Sequence, residues 1–147
     1  MTAAPRSWQD RAVLFDCAGE SLVGIVSVPE AATETGVLVI VGGPQYRAGS
    51  HRQFVLLARY LAAQGVPCMR FDYRGMGDST GPARDFESVS EDVDAAIGAF
   101  LKACPGLRQV VLWGLCDGAS AVCLYPAQQD VRVAAAVLLN PWVHTQA

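Results

Sequence analysis

The sequence has no apolar run of bilayer length. Its longest apolar stretches, near residues 37–41 and 131–139, fall well short of the ~20 residues that a membrane-spanning helix needs. The first ten residues, MTAAPRSWQD, lack the apolar core of a signal peptide, so export is not indicated and a cytoplasmic location is expected. There is no basic stripe either. Eleven Lys and Arg are interspersed with fourteen Asp and Glu, for a formal net charge of −3. Nucleic acid and acidic membranes are therefore not expected partners. The five cysteines, Cys17, Cys68, Cys104, Cys116 and Cys123, include no C-x-x-C pair, which supports neither a zinc site nor a disulfide framework. No G-x-G-x-x-G follows an apolar run, so the glycines do not read as a dinucleotide loop. Neither metal nor cofactor is expected. Repeats, low-complexity tracts and linkers are also missing.

What is present is a core. The chain has 147 residues, 52% hydrophobic and 17% charged, with a mean hydropathy of +0.26. That composition argues against intrinsic disorder, and the length suits a single domain. Four of the five cysteines sit in apolar surroundings and read as small core residues, Cys116 being the exception.

Apolar runs alternate with amphipathic stretches. Residues 11–17 and 21–28 read as an antiparallel hairpin turning at Ala18-Gly19. Residues 37–41 are a β-branched run stopped by Gly42-Gly43-Pro44, the pattern of a strand buried on both faces. Ser50 with Gln53 predicts a capped helix carrying Phe54, Leu57, Ala58 and Leu61 on one side and stopped by Gly65. A strand over residues 66–72 and a loop over 73–86 follow. Ser88 with Glu91 predicts a second capped helix, with Val93, Ala96, Ile97 and Phe100 on one face and Pro105-Gly106 at its end. Residues 109–113 form a further strand, then come a sharp turn at 114–118, a short helix ended early by Pro126, and a last strand over 133–139. This order predicts an α/β fold of about six strands. The sheet should be mostly parallel, with helices on both faces and an antiparallel hairpin at its start. Ligands bind such sheets at the C-terminal ends of the strands, and three of those loops are glycine-rich here.

Chemistry concentrates in Gly114-Leu115-Cys116-Asp117-Gly118, a G-x-C-x-G sequence between an apolar strand and a helix start. This is the thiol form of the nucleophile-elbow pattern, in which a strained turn exposes the nucleophile above the sheet. Glycines two residues to either side let strand and helix approach closely. Cys116 is the expected nucleophile, since a helix start favours thiolate over thiol. The N–H of Asp117 is the expected first oxyanion donor. The loop Val41-Gly42-Gly43-Pro44-Gln45 is the place for a second donor; Pro44 has no N–H, which leaves Gly43, with the Gln45–Tyr46 region as fallback. His51, at a helix start beside this loop, and His144, near the end of the sequence, read as ordinary polar residues.

Together with FDYRGMGDS over residues 71–79, these motifs resemble the α/β-hydrolases. The resemblance runs from the hairpin to Leu138-Leu139-Asn140-Pro141-Trp142. It places residues 1–147 as the N-terminal portion of one such domain. Within the superfamily, GGPQYRAGSHRQF, FDYRGMGDS and GLCDGAS are most similar to hydrolases associated with bacterial exosortase systems, which accompany exopolysaccharide gene clusters. The resemblance implies a small-molecule ester, thioester or acyl substrate, and makes Asp72 and Arg74 fold residues rather than catalytic ones. In the family the triad acid follows the sixth or seventh strand and the histidine follows the eighth. Beyond the elbow this sequence offers Asp117, Asp130 and His144, none of which fits those places. The expectations are therefore an ester or thioester hydrolase with a cysteine nucleophile, an inactive fragment serving as an interaction module, or an acyltransferase. The last strand should lie at a bare sheet edge open to self-association or to a partner supplying the missing half.

Overall fold

The computed structural model describes residues 4–43 and 45–142, so Pro44 and His144 fall outside the described residues. Strands β1 (Trp8–Cys17) and β2 (Glu20–Pro29) form the antiparallel hairpin. They turn through Ala18 and Gly19, both at positive φ (48° and 83°), the backbone sense that matches the twist of a tight hairpin. Next come β3 (Thr35–Ile40), α1 (Gln53–Ala63), β4 (Cys68–Phe71), α2 (Ser90–Ala103), β5 (Gln109–Leu115), α3 (Asp117–Leu124) and β6 (Val133–Leu139). The strand order is β1-β2-β4-β3-β5-β6. From β4 through β6 all pairings are parallel, while β1–β2 and β2–β4 are antiparallel. The expected architecture is present, with strand ends displaced by a few residues.

Period-two burial explains why β3 has no polar face. Val37, Val39 and Val41 pack with Phe54 and Ala58 of α1 on one side of the sheet. Leu38 and Ile40 join Met69, Phe71, Ile97, Phe100 and Val122 on the other, under α2 and α3. From β3 the chain crosses to β4 on one side and later returns to β5 on the other. The crevice between the C-terminal ends of β3 and β5 is thus the switch point of the sheet, where α/β folds bind ligands.

Both helix starts differ from the sequence expectation. Ser50 makes no side-chain cap; residues Ser50–Arg52 form a 3-10 turn in which His51 and Arg52 are left-handed (φ 50° and 60°), and α1 begins only at Gln53. The amide that a Ser50 cap would hold, that of Gln53, donates instead to the Ser50 backbone carbonyl. Ser88 likewise does not cap α2, which starts at Ser90 behind Val89. Asp85 caps a preceding 3-10 turn, Phe86–Ser88, by accepting from the Glu87 amide. Glu91 is drawn to Arg74, 3.0 Å away, rather than back to a cap.

The cysteines also need one correction. Cys17, Cys68 and Cys104 are buried, but Cys123 is exposed along with Cys116. Cys123 lines an open groove between α3 and β6. Strand β6 is itself exposed along nearly its whole length, as expected for an uncovered edge. No helix among the described residues is long and apolar enough to cross a membrane.

Candidate active site

The turn from β5 into α3 has the geometry that the G-x-C-x-G spacing anticipates. Cys116 sits between strand and helix at φ 52°, ψ −119°, a conformation that an L-residue adopts only under constraint. The constraint is close backbone approach. A Cβ on Gly114 would meet the amide nitrogen of Ala119 at 2.6 Å, and one on Gly118 would meet the carbonyl oxygen of Ile40 at 2.1 Å. The approach continues in the next loop, where a Cβ on Gly42 would fall 2.2 Å from the Gly118 nitrogen. Three glycines thus let α3 start directly against the ends of β3 and β5. The Cys116 amide donates to the Leu139 carbonyl at 2.9 Å and so extends the β5–β6 ladder by one bond.

Gly43 and Asp117 lie close together. Gly43 is left-handed (φ 61°), and a Cβ there would lie 3.5 Å from an Asp117 carboxylate oxygen. Asp117 is the first residue of α3, where helix amides have no partner within the helix. Both residues line a cleft of about 190 Å³ together with Val41, Tyr73, Arg84 and Phe86. Two larger grooves lie elsewhere, one of about 600 Å³ beside the outer hairpin and one of about 470 Å³ between α3 and β6. The Cys116 thiol itself is exposed, so it stands at a rim rather than in a closed pocket.

The loop after β4 braces this rim. Asp72 is fully buried and accepts from the Arg47 amide at 2.8 Å, the Arg47 guanidinium and the Asp78 amide at 3.1 Å. Gly77 packs so tightly on it that a Cβ would fall 2.3 Å from the Asp72 carboxylate. Arg74 is buried too, with Nε 3.0 Å and Nη2 2.6 Å from Asp92 Oδ1 and its own amide 2.7 Å from Oδ2. The Asp92 hydrogen bond holds the Arg74 guanidinium firmly in its charged form, against the opposing effect of burial. The hydroxyl of Tyr73 donates to the Val41 carbonyl and ties this loop to the Gly42-Gly43 segment. Burial pushes that hydroxyl well above the ordinary tyrosine range, so it stays a donor. Asp72 and Arg74 are thereby fully engaged in holding loops together.

Sequence reasoning missed the segment that closes the other side. Asn140, just past β6, donates from Nδ2 to Cys116 Sγ at 3.7 Å. The indole N–H of Trp142 donates to Asp117 Oδ1 at 2.6 Å. Its backbone N–H donates to Ser120 Oγ at 3.0 Å, while the Ser120 hydroxyl donates back to the Trp142 carbonyl. The Trp142 ring also meets Phe86 edge-on, centroids 5.4 Å apart. The Asn-Pro dipeptide at 140–141 marks a turn, but its position over the elbow depends on the β5–β6 register. His51 is exposed on the turn before α1 and Asp130 pairs with Arg132 and Tyr125. No group of three or more His, Cys, Asp or Glu among the described residues is arranged to hold a metal.

A strand–elbow–helix at the switch point of such a sheet defines an α/β-hydrolase type of site. The sequence comparison agrees: the family model for the alpha/beta hydrolase fold matches residues 36–146, and the chain belongs to that family. Among curated proteins it is 36% identical over 92 residues to the polyketide transferase grgF of Penicillium sp, covering 59% of this chain and 31% of that protein. It is 33% identical over 120 residues to the quorum-quenching protein AidA of Acinetobacter baumannii (strain MDR-ZJ06), covering 78% of this chain and 38% of that one. The esterase Pf2001 of Pyrococcus furiosus superposes with a TM-score of 0.78 at 17% identity, over 91% of this chain and 53% of its own. That last likeness is one of fold. The chain thus spans well under half the length of these curated relatives and about half that of the solved esterase.

Proposed function

We propose that this chain carries the nucleophile half of a hydrolase acting on carboxylic ester or thioester bonds, with Cys116 as nucleophile. The observation behind the reading is the strained Cys116 backbone, held by Gly114 and Gly118 between β5 and α3. A nucleophile in such a turn is presented above the sheet without a flexible side chain to order. The Cys116 thiolate adds to the substrate carbonyl carbon, and the carbonyl electron pair moves onto oxygen. The amides of Asp117 and Gly43 are the proposed donors to that oxyanion. Collapse expels the alcohol or thiol, which takes up a proton, and leaves a thioester on Cys116. Water then adds to the thioester, releasing the acid and regenerating the thiol. The base for the water step would come from outside the described residues. Residues 1–147 are accordingly proposed as the N-terminal portion of the domain, and any link to exopolysaccharide synthesis belongs to the same proposal.

Acyl transfer is the second reading, and the 36% identity to a polyketide transferase favours it. The two share the thioester and differ in whether water or a hydroxyl-bearing acceptor takes the acyl group. A third reading, an interaction module, draws on the bare β6 edge.

One experiment separates them: p-nitrophenyl acetate turnover by the purified chain and by Cys116→Ala, with mass spectrometry of the quenched protein. Acetylation at Cys116, lost in the variant, supports the nucleophile. Faster release of nitrophenol when an alcohol acceptor is added favours transfer. No acetylation of the chain, or acetylation that survives Cys116→Ala, sinks the reading and leaves the interaction module.

A further inference from the structure

Cys116 and Asn140 occupy matched positions on neighbouring strands. Leu115 pairs with Leu139 in the parallel β5–β6 ladder, and both strands end there, with Cys116 and Asn140 as the next residues. Both of those next residues have φ of 52°. The positions one step past a paired residue in two parallel strands lie side by side. Here that puts the Asn140 amide nitrogen 3.7 Å from the Cys116 sulfur.

Asn140 has few ways of leaving that place. Its neighbour Leu139 accepts the Cys116 amide at 2.9 Å, so the backbones of the two turns are tied together. Two residues on, Trp142 is fixed to α3 through Ser120 and Asp117. The residue type fits both demands of the position. Asn tolerates the left-handed backbone better than other non-glycine residues, and its NH2 group donates. Leu or Val would satisfy neither.

We infer that Asn140 is a positioning residue for the Cys116 nucleophile: its side-chain amide donates a hydrogen bond to the thiolate and aims the sulfur along the rim. The inference rests on the nucleophile reading above and deepens it. A donor to sulfur favours the charged form, because a thiolate accepts a hydrogen bond far better than a thiol does. No proton is transferred by Asn140. It holds the thiolate that forms when Cys116 loses its proton to solvent or to a base.

The test compares iodoacetamide alkylation of the parent chain, Asn140→Gly and Asn140→Asp across pH, with peptide mapping so that Cys123 serves as an exposed internal standard. Asn140→Gly keeps the left-handed turn at least as well and removes only the amide, so folding and donation are separated. In the parent, Cys116 should label faster than Cys123. In Asn140→Gly, Cys116 labelling near neutral pH should slow about tenfold and its rate–pH midpoint should rise by about one unit, with Cys123 unchanged. Asn140→Asp, which sets an anion beside the thiolate, should move the midpoint further in the same direction. A parent in which Cys116 labels no faster than Cys123 overturns the nucleophile reading, and this inference with it. A fast parent with an unshifted Asn140→Gly profile overturns the role of Asn140 alone.

Discussion

Gly118 lies so close to the end of β3 that a Cβ in its place would sit 2.1 Å from the carbonyl oxygen of Ile40. Its φ is not in the left-handed range, so contact with backbone, not conformational freedom, is what requires glycine. Gly118→Ala should force α3 away from the sheet and cost about 2–3 kcal/mol, or more where the backbone does not yield. Urea unfolding measures it. A loss below about 0.5 kcal/mol, the range of neutral surface changes, would count against this packing.

The Arg74–Asp92 pair joins the loop after β4 to α2 with both side chains buried. Removing one partner leaves the other charge uncompensated. Asp92→Ala should cost about 3–5 kcal/mol, and Arg74→Met of that order. The double variant, Arg74→Met with Asp92→Leu, should recover much of the loss. Chemical denaturation of the three variants gives the answer, and strict additivity would contradict a coupled pair.

The thiols should divide into two kinetic classes. Cys116 and Cys123 are exposed, whereas Cys17, Cys68 and Cys104 are buried. Burial raises all three of the buried thiols, with Cys68 pushed up to about 12. In the native protein at neutral pH, a disulfide reagent should titrate two thiols rapidly. The other three should react only as the chain opens, and all five promptly in denaturant. Rapid native titration of Cys68 would contradict the fold around α1.

Asp130 accepts from Arg132 at 2.9 Å and from the Tyr125 hydroxyl at 2.5 Å. The Arg132 hydrogen bond, with burial opposing it, holds the Asp130 carboxyl well below the usual carboxylate range. A depressed folded value stabilises the protein above the unfolded value of about 4 and is lost as pH falls toward the folded one. Asp130→Asn should therefore cost about 2 kcal/mol at pH 7. The gap to the parent should narrow below about pH 4. Thermal unfolding from pH 7 to pH 2 tests the sign: a gap that widens on acidification is incompatible with this pairing.

Strand β6 exposes Val137, Leu138 and Leu139 at a sheet edge. An apolar edge with unpaired backbone groups promotes association. Leu138→Lys should lower light scattering by the concentrated chain without lowering its thermal midpoint, because little packing is lost. Equal scattering from parent and variant would show that the edge does not drive association.

The sequence by itself determined the order of strands and helices, the two-faced burial of β3 and the position of the elbow. Each rests on local signals: β-branched runs, helical spacing, and glycines two residues either side of Cys116. It did not determine where the helices begin. Ser50 and Ser88 look like caps, yet the left-handed turn at His51 and Arg52 and the Asp85 carboxylate, with Arg74 claiming Glu91, settle those starts in ways the motif does not encode. Nor did composition predict that Cys123 is exposed, because that depends on what lies over β6. Tertiary structure alone decided that Asn140 stands beside Cys116. Twenty-four residues separate them in sequence. Their meeting follows from the parallel register that pairs Leu115 with Leu139, a long-range relation that no local pattern encodes.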